Sequence, residues 1–100
     1  MEYFVSTHIL EDERVKELKK HFGGLGFLVL IATVNEIFRG GGVLSLGNQQ
    51  SMREIMSFCH LKREDVMEYF DLFVNDFNLL KRDGDNLSLL EDEPLFKKEI

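Results

Sequence analysis

The feature that most constrains the fold is the apolar segment LGFLVLIATVNEIFR, Leu25–Arg39. A helix that is apolar nearly all round must be buried on most sides, so the rest of the chain is expected to wrap around it. Its longest apolar run, Leu25–Val34, is ten residues long, well short of the ~20 needed to cross a bilayer. With 100 residues, 44% of them hydrophobic, the chain is expected to form one soluble domain, residues 1–100, with no membrane partner.

A more polar helix is predicted before this central helix. Asp12 is placed as its N-cap, and the helix should run to about His21. Gly23-Gly24 should end it, with one of the two glycines in the left-handed conformation. The stripe expected to be buried consists of Val15, Leu18 and Phe22.

The second half of the chain alternates short strands with helices. Ser51 and Glu54 fit a capping box that opens a short helix, and Asp83-Gly84 is a strong hairpin signal. The predicted elements are a strand at Val43–Leu46, helices at Met52–Cys59 and Lys62–Phe77, and a hairpin made by Leu79–Lys81 and Asn86–Leu90 around Arg82–Asp85.

The order helix, helix, strand, helix, helix, hairpin predicts a mainly α fold with a small antiparallel sheet, an α+β domain. The strand at Val43–Leu46 can pair with the hairpin to complete three strands. That arrangement is a winged helix-turn-helix with Arg82–Asp85 at the tip of the wing. An ordinary α+β domain is the alternative.

The two ends of the chain differ in character. Residues 1–10 form an apolar arm, in which Tyr3, Phe4 and Ile9 are too apolar for a free tail. Either the domain itself or a second copy should therefore bury them, and a dimer is expected. Residues 91–100 form a charged tail, which should fray or lead into a further domain.

The helix at Lys62–Phe77 divides into an apolar and an acidic side. Val66, Phe70, Phe73, Val74 and Phe77 fall on one stripe at helical spacing. Between Lys62 and Asn78, two positive and five negative residues give −3, within a chain of net charge −6. The opposite side can dock a basic partner or mimic nucleic acid, or it can be a solvated face. The residues assigned to partner docking on this side are Glu64, Glu68 and Asp71.

Five cations are candidates for contact with nucleic acid. In a winged helix they could all approach one phosphate backbone. Carboxylates lie beside them in the sequence, however, and a protein that neutralises few phosphates binds DNA weakly and loses binding at moderate salt. The candidates are Arg53, Lys62, Arg63, Lys81 and Arg82.

No constellation for catalysis or cofactor binding is apparent. Cys59 and His60 are adjacent on a helix and therefore point in different directions, and Cys59 is predicted to be a core residue. A single cysteine rules out an internal disulfide, which fits the cytoplasm. Gly40–Gly42 lacks the Lys-Ser/Thr of a phosphate loop. We expect no enzyme activity, no metal, no cofactor and no small-molecule ligand.

A set of aromatic, glycine and capping positions resembles a known family. Tyr3-Phe4, Asp12 before Val15 and Leu18, Phe22-Gly23 and Gly26-Phe27 are similar to the N-terminal domain of phage replisome-organiser and DnaD-like replication proteins. The resemblance covers nearly the whole chain. It implies a winged helix that self-associates, works in replication initiation or primosome assembly, and usually belongs to a longer protein.

Two hypotheses follow. The first is a non-enzymatic winged-helix module of a phage-type replication protein, which works mainly by self-association or by docking to another replication protein, with weak and non-specific DNA contact. The alternative is a true DNA-binding domain that contacts phosphates through the start of the helix at Lys62–Phe77 and through the wing.

Overall fold

A computed structural model describes the backbone of residues 2–99 and the side chains of residues 4–96. The fold is mainly helical with a small antiparallel sheet, as predicted. In chain order the elements are β1 (Glu2–Val5), a 3₁₀ turn (Ile9–Glu11), α1 (Glu13–Arg39), β2 (Val43–Ser45), α2 (Gln49–Cys59), α3 (Arg63–Asp71), a π-helical turn (Leu72–Asp76), β3 (Leu80–Asp83), β4 (Asn86–Leu89) and β5 (Phe96–Glu99).

Helix α1 consists of two arms, residues 13–22 and 24–39, separated by a sharp kink at Gly23. The φ of Gly23 is 67° and its ψ is −161°, a backbone conformation that glycine adopts without steric cost. The predicted break at Gly23-Gly24 is thus confirmed. The side chain of Asp12 accepts hydrogen bonds from the backbone N–H groups of Arg14 and Val15, which confirms the predicted N-cap.

Gly26 allows the two arms of α1 to approach each other closely. A Cβ atom built at Gly26 would lie 2.8 Å from the Cβ of Phe22 and 3.3 Å from Cδ1 of Leu18. Any larger residue would therefore push the first arm away from the second. Glycine at this position fixes where Phe22 lies, next to the kink.

The three-stranded sheet has the order β2-β4-β3, with both pairs antiparallel. Leu44 pairs with Leu87 and Leu87 with Arg82; the two leucine side chains are buried in the core, whereas Arg82, at the end of this row, is exposed. The turn between β3 and β4 contains two residues, Gly84-Asp85, and Gly84 has a φ of 62°. The predicted three-stranded sheet is confirmed. Its β3–β4 turn is tighter than the expected wing tip Arg82–Asp85, because Arg82 and Asp83 are already paired.

The two ends of the chain pair with each other. Strand β1 is antiparallel to β5, with Val5 opposite Phe96, and Leu95 and Phe96 are buried. The prediction that the charged tail frays is therefore wrong for residues 93–99, because this part contributes apolar side chains and a strand. The apolar arm lies along the chain's own C-terminal segment, and Ile9 is buried in the chain's own core.

Helix α2 begins before the predicted residue. Its N-cap is Asn48, whose side chain accepts a hydrogen bond from the backbone N–H of Ser51. The prediction of Ser51 as the cap was therefore wrong: asparagine is an equally good cap, and the two glutamines that follow it extend the helix. His60 then adopts the left-handed conformation, with a φ of 55°, and turns the chain into α3.

The second arm of α1 is the central helix, as predicted. Val29, Leu30 and Ile37 are completely buried. By length and composition alone α1 could cross a membrane, since its most apolar 18-residue window has a mean hydropathy of 1.5. Core helices of globular proteins share this property, and the burial of these side chains within the domain is what such a core helix requires.

Candidate interaction surfaces

Helix α3 separates its apolar and acidic sides as predicted. Val66, Phe70 and the following Phe73 are completely buried. Glu64, Glu68, Asp71 and the adjacent Asn75 are all exposed. We call the surface formed by Glu64, Glu68 and Asp71 the α3 acidic face. Residues three and four apart share one side of a helix, so this face is continuous.

The two cations of the wing are directed at carboxylates. Arg82 lies with Nη1 3.6 Å from Oδ1 of Asp71, and its Nε donates a hydrogen bond of 2.9 Å to the carbonyl of Gly84. Lys81 Nζ lies 3.8 Å from Oε1 of Glu91. Both candidates for phosphate contact in the wing thus already have an anionic neighbour.

Of the other three candidate cations, Lys62 and Arg63 lie at the start of α3 and Arg53 lies on α2. All three are exposed, and Arg63 approaches the carbonyl of Leu46 at 3.5 Å. Among the side chains of residues 4–96, no carboxylate lies within 4.0 Å of their charged groups. The five candidates therefore divide into two groups, and the three on α2 and at the start of α3 are the ones available to an anion.

The docking candidates of the arm do not lie on one surface. Ile9 is buried, whereas Phe4 is 44% exposed. The side chain of Tyr3 lies outside the described residues. Of the two arm candidates whose side chains the structure describes, Phe4 is therefore the one that a partner could contact.

A buried cluster of charges, which the sequence did not indicate, holds the two ends of the chain together. We call Asp12, Arg14 and Glu93 the Arg14 cluster. Arg14 donates paired hydrogen bonds to Glu93 (2.7 and 2.8 Å) and to Asp12 (2.9 and 3.0 Å), and a fifth to the carbonyl of Asn78. The Glu93 side chain is completely buried. The hydrogen bond from Arg14 lowers the pKa of Asp12 and outweighs the opposing effect of burial.

An apolar groove of about 210 Å³ opens between the kink of α1 and helix α3. Phe22 is 37% exposed and Leu25 is 41% exposed. The prediction that Phe22 is buried was therefore wrong: the kink at Gly23 ends the first arm at the surface. We call this site the Phe22 groove; it is lined by Phe22, Leu25, Leu61, Tyr69 and Leu72, with Asp65 and Glu68 at its rim.

A second groove of similar volume, about 210 Å³, lies between the second arm of α1 and α2. Phe58, at its edge, is 59% exposed. The stripe of α2 predicted to be buried consists of Met52, Ile55, Met56 and Cys59. Phe58 falls outside this stripe, and this was the signal that could have placed it at the surface. Glu36, also in this groove, is paired with Arg39 at 3.1 Å, so these two charges cancel.

The described side chains contain no arrangement that suggests chemistry. Cys59 is buried, as predicted, and its burial raises the pKa of the thiol, which disfavours the nucleophilic thiolate. Residues 4–96 contain no group of three or more His, Cys, Asp or Glu side chains suited to a metal ion. What the structure offers is an acidic helix face, two apolar grooves and a small group of cations on α2 and at the start of α3. No family model, curated protein or solved structure matches this chain.

Proposed function

We propose that this chain is a non-enzymatic winged-helix module that works by docking to proteins, including further copies of itself, rather than by reading DNA. The chain order α1, β2, α2, α3, β3, β4, with the three strands joined in one antiparallel sheet, supports the winged-helix assignment. Its resemblance to phage replisome-organiser and DnaD-like domains supports a place in replication initiation, with a replication protein as partner, in the cytoplasm.

The observation that carries this proposal is the α3 acidic face. In a helix-turn-helix protein the second helix enters the major groove and lies between two phosphate backbones. In this chain α3 occupies that position in the order of elements, and Glu64 and Glu68 are exposed on it. Each carboxylate would repel phosphate, and a basic protein surface would be attracted instead.

The wing supports the same conclusion. Winged helices that bind DNA need cations that can reach phosphate, because affinity grows with the number of phosphates neutralised. Here Lys81 and Arg82 each face a carboxylate, Glu91 and Asp71 respectively. Arg53, Lys62 and Arg63 are left, and three cations beside an acidic face provide weak, salt-sensitive contact at most.

The test is a titration of a fluorescently labelled 30-base-pair duplex at low salt, followed by anisotropy. Wild-type protein should bind the duplex at most weakly, and about 150 mM salt should abolish that binding. The double variant Glu64→Lys/Glu68→Lys should acquire binding that weakens steeply as salt is added, because it converts the repelling face into an attracting one. A matched control is Glu13→Lys/Glu17→Lys, which makes the same change of charge on α1.

The alternative, a true DNA-binding domain, predicts the opposite result. Wild-type protein would bind the duplex saturably even at about 150 mM salt, and Arg53→Glu/Lys62→Glu would abolish that binding. This outcome would overturn the docking proposal.

Self-association is tested at Phe4, the exposed aromatic residue of the arm. Deleting the whole arm would also remove Ile9 from the core and the strand that pairs with β5, so a loss of assembly would not be informative. Phe4→Ser avoids both effects. If the arm mediates dimerisation, this substitution should reduce the mass measured by light scattering, and an unchanged dimer would exclude the arm as the interface.

A further inference from the structure

Phe22, which forms one wall of the Phe22 groove, is held in position by several contacts. Phe22 contacts Tyr69 edge-on, with ring centroids 5.7 Å apart, and Phe77 at 6.2 Å. The close packing at Gly26 and the kink at Gly23 together determine the position of Phe22. Phe22 is therefore held at the surface by its surroundings, although a large aromatic side chain would be more stable in the core.

The rim of the groove is acidic. Asp65 and Glu68 are exposed there, and among the side chains of residues 4–96 no Lys, Arg or His lies within 4.0 Å of either carboxylate. The pKa of Tyr69 is raised by burial and, in addition, by the nearby charge of Asp65. The groove thus combines apolar walls with uncompensated negative charge.

The chemistry that complements such a site is an apolar side chain next to a lysine or arginine. Aliphatic carbons would bury the exposed parts of Phe22 and Leu25, and a cation would meet the two carboxylates and the aromatic faces. A contact of this type occurs elsewhere in the described part of the chain, where Lys19 Nζ lies 5.8 Å from the centre of the Phe27 ring. The volume is too small for a drug-sized ligand and suits one or two side chains of a peptide.

The second groove, which we call the Phe58 groove, supports the same inference less well. Glu36 there already has Arg39 as a partner, so among the described side chains that line this groove one carboxylate, Glu54, has no cation within 4.0 Å. The Phe22 groove has two such carboxylates beside its exposed apolar wall, and this larger unbalanced charge distinguishes it.

We propose that the Phe22 groove is the docking site for a basic amphipathic helix of a partner protein, which packs an apolar side chain against Phe22 and Leu25 and places a lysine or arginine against Asp65 and Glu68. This inference rests on the proposed docking function and narrows it to one end of α3. It follows the helix-in-groove mode, in which a few apolar anchors provide affinity and flanking charges provide specificity.

The test uses a fluorescein-labelled model helix of leucine and lysine at helical spacing, with the same peptide carrying glutamate in place of lysine as its control. Anisotropy at about 150 mM salt, where surface charges are partly screened, should show saturable binding of the lysine peptide and none of the glutamate peptide. Asp65→Lys/Glu68→Lys should weaken binding at least tenfold. The matched control, Glu64→Lys/Asp76→Lys, makes the same change in net charge on the same stretch of chain, but outside the groove. It should weaken binding of the lysine peptide no more than about threefold.

The contribution of apolar contacts to peptide binding is tested separately. Leu25→Ser should reduce binding about fivefold or more, whereas Phe58→Ser, which removes an exposed apolar side chain from the other groove, should leave it unchanged. Circular dichroism of each variant establishes that the fold is retained, and both residues are exposed enough for this to be expected.

The remaining outcomes separate the two proposals. If both charge-reversal pairs weaken the lysine peptide equally, the groove is overturned while docking through the α3 acidic face stands. If neither peptide binds, or both bind equally, the proposal that the Phe22 groove binds a basic helix is overturned. The proposed docking function is then tested independently by the duplex titration. If the protein forms a dimer that Leu25→Ser dissociates, a second copy occupies the groove, and the assignment to a basic partner is wrong.

Discussion

The Arg14 cluster and the Arg82–Asp71 pair place the same chemical groups in very different surroundings. In the cluster, the Glu93 side chain is completely buried and Arg14 makes five hydrogen bonds, four of them to carboxylates. At the wing, Asp71 is exposed and the closest approach to Arg82 is 3.6 Å. The first is a fixed network and the second a solvated contact.

This difference distinguishes charged residues that stabilise the fold from charged residues that are available to a partner. Exposed ion pairs contribute about 0–1 kcal/mol, because water and salt screen them. Removing one partner of a buried pair costs about 3–5 kcal/mol, because the remaining charge is left without water. The Arg14 cluster should therefore contribute strongly to keeping the C-terminal segment packed against the start of α1. The Arg82–Asp71 pair should leave the stability of the sheet almost unchanged and should instead determine the charge presented to a partner.

The largest effect is expected from Arg14→Met. It leaves the buried Glu93 carboxylate with the backbone N–H of Leu95 as a hydrogen-bond donor at 3.2 Å, and it also removes the partner of Asp12. We expect the free energy of unfolding to fall by about 3 kcal/mol, measured by urea denaturation at pH 7.

Two further variants show whether the buried carboxylate of Glu93 causes the loss of stability in Arg14→Met. Lys16→Met alters an exposed cation of the same helix, paired at 3.6 Å, and should cost less than about 0.5 kcal/mol. In Arg14→Met/Glu93→Met the completely buried carboxylate of Glu93 is removed together with its partner, so this variant should be more stable than Arg14→Met alone. If the double variant is the less stable of the two, the desolvated carboxylate does not explain the loss.

Local signals in the sequence were sufficient to predict most of the fold. Asp12 as a cap, the break at Gly23-Gly24 and the turn at Gly84 depend on neighbouring residues, and each was predicted correctly. The Arg14 cluster could not be predicted, because Arg14 and Glu93 are 79 positions apart and nothing near Glu93 marks it as buried. The same missing contact explains why the tail was expected to fray.

The candidate site was predicted in part. Helical periodicity was enough to assign Glu64 and Glu68 to the exposed side of α3. It could not show that Arg82 contacts Asp71, because that depends on how the hairpin packs against the end of the helix. Phe22 was assigned to the core because it continues the stripe of Val15 and Leu18; the positive φ of Gly23 turns the chain there and leaves Phe22 at the surface.

A smaller effect, dependent on pH, is expected at Asp12. Its pKa is lowered in the folded protein, mainly by the hydrogen bond from Arg14, so the ionised carboxylate stabilises the fold. That stabilisation is complete above the ordinary pKa of 3.8 and is lost as the pH falls through the lowered value. Asp12→Asn, which retains a good N-cap, should therefore be less stable than wild type at pH 7.

The measurement is urea denaturation of both proteins from pH 7 down to pH 2. We expect a difference of about 1 kcal/mol at pH 7 that narrows below pH 3.8. Asp12→Ala, which also removes the cap, should lose about 1 kcal/mol more at every pH. A difference between Asp12→Asn and wild type that stayed constant with pH would show that the charge of Asp12 does not contribute to stability.

The smallest effect on stability, and the most informative one on function, is expected from Arg82→Ala. The Arg82–Asp71 pair is exposed, so the free energy of unfolding should change by less than about 0.5 kcal/mol. The substitution also frees Asp71 and makes the α3 acidic face more negative by one charge. Binding of the leucine-lysine helix should therefore become slightly tighter, most visibly at low salt where screening is weak, while Lys81→Ala, which frees Glu91 away from α3, should affect it less. Weaker binding in Arg82→Ala would mean that Arg82 itself contacts the partner, and that the wing belongs to the docking surface rather than beside it.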